Sequence, residues 1–285
     1  MKTVLSFPGL GIDEFVVNSV AFKIFDIPIA WYALIITFGM VCAVAYTVFR
    51  ANKVGITFDD VLDFALFAIP IGIIGARAYY VLTKLDEYDS FGEMLNIRQG
   101  GLAIYGGIIA GAITVVAVSY FKKINFFAIA DCCTPGIILA QSIGRWGNFM
   151  NGEAFGSPTE IFCRMGVNNY ITDYTMTYVH PTFFYESMWN VIGFVLINLF
   201  YKHKKYDGQI FLMVFGWYGL GRMFIEGLRA DSLYTRIFGL EFRTSQVLAA
   251  IIFTICASAL IYLAVKKYEK PLFFKEPKVE AKKTK

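Results

Sequence analysis

Thirteen residues near the middle of the chain, 144–156, have the composition of a ligand-binding loop. They bring a guanidinium, two carboxamides and a carboxylate together between four glycines: Arg145, Asn148, Asn151 and Glu153. These residues directly follow an apolar run over 126–143. A charged side chain at membrane depth costs a few kcal/mol unless it is paired or hydrated, so such residues are candidates for function. Because glycines allow tight turns and close approach of the backbone to a ligand, we predict a binding loop here rather than a membrane span.

A second polar group, formed by Arg222, Glu226 and Arg229, has the spacing of one face of a helix end. Two arginines and one glutamate leave an excess positive charge, which suits an anionic ligand. The alternative is an internal ion pair that only fixes helix packing. With Arg145 there are three arginines, and guanidinium groups bind phosphate oxygens bidentately. The sequence has no glycine-rich phosphate loop ending in Lys-Ser or Lys-Thr, so the headgroup of a phospholipid fits this phosphate site better than a nucleotide does.

The composition of the 285-residue chain indicates a membrane protein. Only 17% of its residues are charged, compared with about 25% in soluble domains. The net charge of +4 does not indicate nucleic acid as a partner, because eight of the 26 Lys and Arg residues lie in 266–285, where a basic tail would face anionic lipid. The spacing of the five cysteines and two histidines predicts neither a disulfide framework nor a metal site. No cofactor is expected.

The hydropathy pattern predicts an all-α polytopic membrane protein with seven transmembrane helices and a small loop region on the external side. Taking about 20 residues per span, we place the spans near 29–49, 61–83, 102–121, 126–143, 181–201, 209–227 and 245–265. The first 27 residues are too short for a span, and the weak alternation over 20–24 indicates a small strand or an interfacial segment. We predict one catalytic domain over 1–270 and a basic cytoplasmic tail over 271–285.

Charges in the connecting segments predict the orientation, because Lys and Arg accumulate in cytoplasmic loops. Basic residues follow the first, third, fifth and seventh spans: Arg50, Lys53, Lys122, Lys123, Lys202, Lys204 and Lys205, then the tail. Acidic residues dominate the other connections: Asp86, Glu87, Asp89, Glu93, Glu153, Glu160, Asp173, Asp231 and Glu241. The N-terminus is therefore expected outside and the C-terminus inside. Glycines of the second and third spans, among them the GxxxG pair Gly107 and Gly111, are expected to permit close helix packing.

The stretch Gly-Arg-Trp-Gly-Asn-Phe-Met-Asn-Gly-Glu-Ala-Phe-Gly over 144–156 resembles the signature of the bacterial prolipoprotein diacylglyceryl transferases. The resemblance extends in order along nearly all the chain, and the long signature is highly specific. The further matching segments are Trp31-Tyr32, Gly75-Ala-Arg77, the run 100–107, His180-Pro181 with Tyr185-Glu186, and the run 222–229.

The resemblance implies an enzyme of the bacterial cytoplasmic membrane. Such an enzyme transfers the diacylglyceryl group of phosphatidylglycerol to the thiol of the lipobox cysteine in a preprolipoprotein signal peptide. A thioether forms and glycerol phosphate leaves. The site must generate a thiolate, place it in line with a primary carbon and stabilise the phosphate leaving group. Arginines near the thiol would lower its pKa from about 8.5 and would also bind the phosphate.

The matching motifs also imply which residues do this. The lipid headgroup would be held by Tyr32, Arg145, Asn148, Gly156 and Arg222, with Asn151 and His180 as further substrate-binding candidates. The residues expected to be catalytic are Arg145, Glu153, Arg222, Glu226, Arg229 and Tyr105. In this assignment Glu153 orients Arg145.

Tyr105 departs from the family pattern, because many members have a histidine at this point of the third-span motif, proposed as a general base. Tyrosine titrates near pH 10 and histidine near 6.5, so tyrosine at neutral pH is the poorer base by roughly three pKa units, or about 4 kcal/mol. Either another group accepts the proton, with Glu226 the first candidate and His180 the second, or the family histidine chiefly donates hydrogen bonds. A purely structural Tyr105 is the remaining alternative.

Two other classes of membrane protein fit the sequence less well. A transporter also places Arg and Glu in the membrane, but it would be expected to show an internal repeat with matching broken spans, and the 144–156 stretch has no counterpart elsewhere in the chain. A phospholipid phosphatase would need a well-placed histidine or a metal-binding carboxylate cluster. The two histidines do not provide that arrangement.

Overall fold

The computed structural model describes residues 2–88, 90–97, 100–230, 234–237 and 240–276. Asp89, Asp231 and the tail residues 277–285, which enter the charge and tail predictions above, lie outside the described residues. The chain divides into two compact units. The first contains Met1–Tyr46 and Cys133–Pro271, and the second contains Thr47–Cys132 and Leu272–Lys285.

The described part of the chain is mostly helical. Its helices are α1 (Trp31–Ala51), α2 (Phe58–Thr83), α3 (Phe91–Leu95), α4 (Ile104–Lys122), α5 (Phe126–Asn151), α6 (Thr182–Phe200), α7 (Gln209–Ile225) and α8 (Thr244–Val265). Six of them, all except α3 and α7, are long and apolar enough to cross a membrane, with a mean hydropathy between 1.3 and 2.5. The segment predicted as a span near 209–227 forms α7, which has only 17 residues.

The prediction of an all-α protein is wrong, because the first unit also contains β-structure. Strands β1 (Lys2–Phe7) and β2 (Ile12–Asn18) join β5 (Met165–Asn168) and β6 (Thr177–Val179) in an antiparallel sheet of order β2-β1-β5-β6. Two hairpins are also present: β3 (Val20–Ile24) with β4 (Ile27–Ala30), and β7 (Tyr234–Ile237) with β8 (Leu240–Arg243). Of the two alternatives for 20–24, a small strand or an interfacial segment, the structure shows the strand, β3.

The four-stranded sheet packs against the end of α5 and the start of α6. Its buried apolar side chains, including Leu5 and Val167, form one core cluster with Phe183 of α6. Phe149 and Met150, from the last turn of α5, pack against the same cluster. Burial of this apolar surface ties the sheet to the two helix ends that carry the polar residues of the 144–156 stretch and of the 180–186 segment.

The 144–156 stretch is not a loop throughout, contrary to the prediction. Helix α5 continues to Asn151, and the chain turns only at Gly152, which has a φ of +62°. The glycines within the helix face α1 instead. A Cβ on Gly147 would lie 2.7 Å from the ring of Tyr32, and one on Gly144 would lie 3.0 Å from Ile36 Cδ1. These glycines therefore allow α1 and α5 to pack closely.

In the second unit, the predicted role of the glycines in helix packing is confirmed for Gly75, Gly106 and Gly107, whereas Gly111 makes no close contact with a neighbouring helix among the described residues. A Cβ on Gly75 of α2 would lie 2.3 Å from the Cβ of Ala110, and one on Gly106 of α4 would lie 2.3 Å from the carbonyl oxygen of Gly75. Gly72 and Gly107 also face each other, with 3.4 Å between a Cβ on Gly107 and the Gly72 carbonyl oxygen. Helices without side chains at the contact approach closely, and this approach gives the dispersion attraction that holds helices together in lipid.

We expect Gly106→Ala to destabilise the protein by about 1 to 3 kcal/mol, because the added methyl group would overpack the contact between α2 and α4. Thermal unfolding of the detergent-solubilised protein measures this effect. Gly111→Ala is the matched control, since a Cβ there would meet only the carbonyl oxygen of Ala68, at 4.0 Å. Equal unfolding temperatures for the two variants would contradict the packing argument.

Arg77 of α2 holds the segment that leads into α4. Its side chain is buried and donates hydrogen bonds to four carbonyl oxygens between 2.8 and 3.0 Å away, those of Glu93, Met94, Gly100 and Gly101. The guanidinium thus joins the end of α3 to the backbone that precedes α4. Arg77 has a structural part in the second unit.

The first described residues of the tail return to the start of α2. Lys275 forms an ion pair with buried Asp60, which also accepts from Lys122 Nζ at 3.1 Å. The backbone N–H of Lys275 donates to the carbonyl oxygen of Val54 at 3.0 Å. A Cβ on the neighbouring Gly55 would lie 2.2 Å from the Lys275 carbonyl oxygen. At least one tail lysine is therefore engaged with the protein itself.

Candidate active site

Three arginines from different parts of the first unit converge on one carboxylate, Glu186 of α6. Glu186 Oε1 lies 3.3 Å from Arg222 Nη1 and 3.2 Å from Arg229 Nη1. Glu186 Oε2 forms a short ion pair with Arg145 Nη2. The three arginines singled out in the sequence therefore form one cluster. The residue that joins them, Glu186, had no role among the predicted site residues.

A second carboxylate, Glu226, pairs with the same cluster. Its Oε2 lies 2.6 Å from Arg222 Nη2, and its side chain is 2% exposed. Arg145, Arg222 and Arg229 together carry one more charge than Glu186 and Glu226, and Arg243 adds a further positive charge beside the backbone of Glu226. Arg145 is the most accessible of the arginines, with a side chain 24% exposed, so an incoming anion would meet it first.

We predicted that Arg222, Glu226 and Arg229 lie on one face of a helix. This is correct only for Arg222 and Glu226. Helix α7 ends at Ile225, Glu226 begins a short 3-10 turn, and Arg229 follows that turn in extended conformation. The change in backbone brings Arg229 to Glu186. A fourth arginine that sequence reasoning missed, Arg243, donates from Nη1 to the carbonyl oxygen of Glu226.

Two stacked tryptophans fix α6 beside α7 close to this cluster. Trp189 and Trp217 lie with their ring centroids 4.4 Å apart, and each indole N–H donates to the backbone carbonyl of the other residue, at 3.0 and 2.9 Å. A Cβ on Gly193 or Gly221 would lie within 2.2 Å of an indole nitrogen. Because Trp189 follows Glu186 by one helical turn, this contact also sets the distance between Glu186 and Arg222.

Glu153 lies in a separate group of polar contacts. Its Oε1 accepts from Asn148 Nδ2 at 3.2 Å and from Asn151 Nδ2 at 3.0 Å. The carboxylate beside Arg145 is thus Glu186 and not Glu153. Glu153 instead joins the two carboxamides, which were predicted to bind substrate, where α5 ends.

Residues 152–157 connect the end of α5 to α6 and to the segment after α7. Thr182 Oγ1 donates to the Ala154 carbonyl at 2.8 Å, and the N–H of Gly156 donates to the His180 carbonyl at 2.9 Å. Gly156 also forms a bridge with Arg229. A Cβ on Gly156 would lie 2.6 Å from the Cβ of His180, so its missing side chain serves this packing.

The other predicted residues have distinct places. Tyr32 lies in the first turn of α1, with its ring against Gly147. His180 precedes α6, and its Nδ1 is buried without a hydrogen-bond partner among the described residues. Its ring lies 6.2 Å from that of Tyr185, centroid to centroid. Tyr105 is the second residue of α4, in the second unit.

A small cavity opens beside the arginine cluster. Among the side chains that line it are Gln141, Arg145, Glu186, Asn190, Tyr218 and Arg222. The arrangement offers guanidinium donors with excess positive charge in largely buried surroundings. Such an array can bind a phosphate and stabilise the negative charge that develops on a leaving phosphate.

The sequence profile of a known family, described as prolipoprotein diacylglyceryl transferase, matches residues 19–262. A phosphatidylglycerol–prolipoprotein diacylglyceryl transferase of Enterococcus faecalis is 41% identical over 282 residues, covering 94% of this chain and 97% of the relative. Proteins of the same name from Listeria innocua and Clostridium perfringens are 40% and 43% identical over 268 residues each. They cover 92% and 90% of this chain, and 95% and 99% of their own lengths. The profile covers most of the chain, and the relatives are at least 40% identical to it along almost all of its length. The chain therefore belongs to the prolipoprotein diacylglyceryl transferase family.

Proposed function

We propose that this protein transfers the diacylglyceryl group of phosphatidylglycerol to the thiol of the lipobox cysteine in preprolipoprotein signal peptides. This reaction is the first step of bacterial lipoprotein maturation. The observation that carries the proposal is the convergence of Arg145, Arg222 and Arg229 on Glu186, in a chain of this family. Excess positive charge in buried surroundings suits a phospholipid phosphate, and the names of the relatives specify phosphatidylglycerol and prolipoprotein as substrates.

In the proposed reaction the cysteine sulfur attacks the primary glycerol carbon that bears the phosphate. A carbon–sulfur bond forms, the carbon–oxygen bond to phosphate breaks, and glycerol phosphate departs with the bonding electron pair. Arginines that already surround the phosphate need no reorganisation as its charge grows, which is the main way in which such a site lowers a barrier. The same positive charge favours the thiolate over the thiol.

The roles of the individual residues are proposals of the same kind. Arg145, Arg222 and Arg229 bind the phosphate, and Tyr32, Asn148, Asn151 and Gly156 shape the end of α5 where the headgroup enters. Glu153 positions the two asparagines. Glu226 is the first candidate for the group that accepts the thiol proton, with His180 the second. Tyr105 belongs to the catalytic residues through the motif that it shares with the family.

We further propose seven transmembrane helices in the bacterial cytoplasmic membrane, with the N-terminus outside, the C-terminus inside and residues 1–270 acting as one catalytic domain. Helix α7 would be the seventh, because its 17 residues extend about 26 Å, just enough for a thin hydrocarbon region. The charges of the connecting segments support this orientation. The arginine cluster would then face the outer leaflet, where lipobox cysteines emerge.

The test is transfer of labelled diacylglyceryl from phosphatidylglycerol to a synthetic lipobox peptide by the purified protein in lipid vesicles. We expect a thioether-linked product, and no product from the same peptide with serine in place of cysteine. A folded and inserted protein that modifies no peptide would contradict the proposal. Movement of lipid across the vesicle bilayer, with no peptide modified, would favour a transporter.

The same assay separates the alternatives for Tyr105. We expect Tyr105→Phe to retain transfer within about tenfold of wild type, because a phenol is a poor base at neutral pH and a lost hydrogen bond contributes at most about that factor. Tyr105→His is the companion variant, since it restores the residue that many family members have. An inactive Tyr105→Phe together with an active Tyr105→His would show that position 105 handles the proton.

A further inference from the structure

Two carboxamides that line the cavity beside the arginine cluster have no assigned role, Gln141 of α5 and Asn190 of α6. Asn190 is only 6% exposed. Neither side chain forms a hydrogen bond within the described part of the chain. Gln141 is half-buried. A polar group in such surroundings gains more from a hydrogen-bond partner than it would in water. Both carboxamides border empty space, so a ligand can supply the missing partners.

Each of the two carboxamides lies one helical turn from a charged residue of the arginine cluster. Gln141 precedes Arg145 by four residues in α5, and Asn190 follows Glu186 by four residues in α6. Residues four apart share a helix face about one turn, or 5.4 Å, from each other. In the proposed orientation α5 runs outward and α6 runs inward, so both carboxamides lie one turn deeper in the membrane than the charged cluster. We call Gln141 and Asn190 the carboxamide tier.

We propose that the carboxamide tier donates hydrogen bonds to the ester carbonyl oxygens of the diacylglyceryl group while the arginines hold the phosphate. This inference rests on the proposed function. In a phospholipid the ester carbonyls lie on the acyl-chain side of the phosphate, which is the deeper side, and the headgroup hydroxyls lie on the other. Ester carbonyls only accept hydrogen bonds, and each carboxamide NH2 offers two donors.

The proposed contacts have a consequence for catalysis. Phosphate and ester groups flank the primary carbon that the thiolate attacks. Holding both sides fixes that carbon in the cavity, and such positioning lowers the barrier of a reaction between bound partners. The tier would therefore recognise the group that is transferred, whereas the arginines recognise the group that leaves.

The experiment compares two donor lipids with the same headgroup and chains, diester phosphatidylglycerol and its diether analogue, which lacks both carbonyls. Wild-type protein is expected to show a higher kcat/KM for the diester, by about fivefold for each hydrogen bond that is lost. In Asn190→Leu and Gln141→Met, which remove the donors and keep the size, the preference should fall by that factor. In the double variant it should approach one.

Asn198→Leu is the matched control. Asn198 lies two turns further along α6, and its carboxamide is engaged with Tyr46 and with the Phe194 carbonyl. This variant should keep the wild-type preference for the diester even if it is less stable. A structural effect lowers kcat/KM for both lipids alike, so the ratio of the two values distinguishes recognition from folding.

Several outcomes would overturn the inference. Wild-type protein with equal kcat/KM for diester and diether lipids would do so, as would tier variants that keep the full diester preference. A third donor, phosphatidylpropanol, lacks the headgroup hydroxyls. Tier variants that keep the diester preference but lose the preference for phosphatidylglycerol over phosphatidylpropanol would show that the tier binds the headgroup hydroxyls. If folded wild-type protein transferred no diacylglyceryl group from either lipid, the proposed function itself would be rejected. This outcome differs from one in which transfer occurs but the carboxamide tier does not recognise the esters.

Discussion

Glu186→Gln is expected to lower kcat/KM for diacylglyceryl transfer by at least about a hundredfold and to destabilise the protein by about 3 to 5 kcal/mol. Glu186 is the carboxylate on which Arg145, Arg222 and Arg229 converge, and its side chain is 8% exposed. A neutral amide of the same size would leave three guanidinium groups facing one remaining carboxylate, Glu226. Mutual repulsion in buried surroundings would then move the arginines apart.

The measurements are transfer kinetics and thermal unfolding in the same detergent. Glu160→Gln is the control, because it makes the same chemical change at an exposed glutamate outside the cluster. Glu186→Asp keeps the charge but shortens the side chain, and we expect it to recover stability more than activity. A fully active and stable Glu186→Gln protein would show that the arginines do not depend on this carboxylate.

Arg145→Ala is expected to reduce kcat/KM by about 10² to 10³ without loss of stability, the effect typical of removing one preorganised donor from a developing negative charge. Arg145 is the most accessible arginine of the cluster, with its side chain 24% exposed, and within the described ranges it pairs with Glu186 alone. Its removal from a group with excess positive charge relieves repulsion, so the fold should persist. Arg145→Lys should recover only part of the activity, because an ammonium group cannot bind phosphate in the bidentate way of a guanidinium.

Transfer kinetics with phosphatidylglycerol and a lipobox peptide check this result, and thermal unfolding establishes that the variant is folded. Arg164→Lys serves as the control. Arg164 donates to the carbonyl oxygen of Glu160 and lies over the ring of Tyr178, outside the arginine cluster. Wild-type activity in Arg145→Ala would remove this residue from the phosphate site.

Both predictions depend on how the positive charge of the arginines is neutralised by the two carboxylates. A site that binds an anion in apolar surroundings needs positive charge, and that charge must be held without the ligand. Glu186 and Glu226 do this by neutralising two of the three arginines. The excess positive charge remains available for the phosphate, and the carboxamide tier beside it would bind the uncharged part of the same lipid.

The features that follow from local sequence were predictable. Apolar runs of sufficient length predicted the long helices. The alternation at 20–24 left a strand or an interfacial segment open, and the glycines of the second and third spans indicated close helix packing. The three arginines could be identified because charge within apolar sequence is costly and therefore informative. The signature and the matching motifs identified the family.

Long-range contacts were not predictable in this way. The sheet pairs β1 at the start of the chain with β5, and no local pattern encodes a pairing between such distant segments. Glycines at 144 and 147 indicated a loop, yet α5 continues through them because their faces are occupied by α1. A glycine weakens an isolated helix, but close packing against another helix can outweigh that preference.

The sequence by itself determined the membrane class, the helical segments, the family and the identity of the arginines. Only the tertiary structure decided which carboxylate joins them. Glu153 is closer to Arg145 along the chain, but the turn at Gly152 directs Glu153 to two asparagines, while the contact between α6 and α7 brings Glu186 to the arginines. Charge pairing depends on distance in space, and that distance is set by helix packing and by the end of α7 at Ile225.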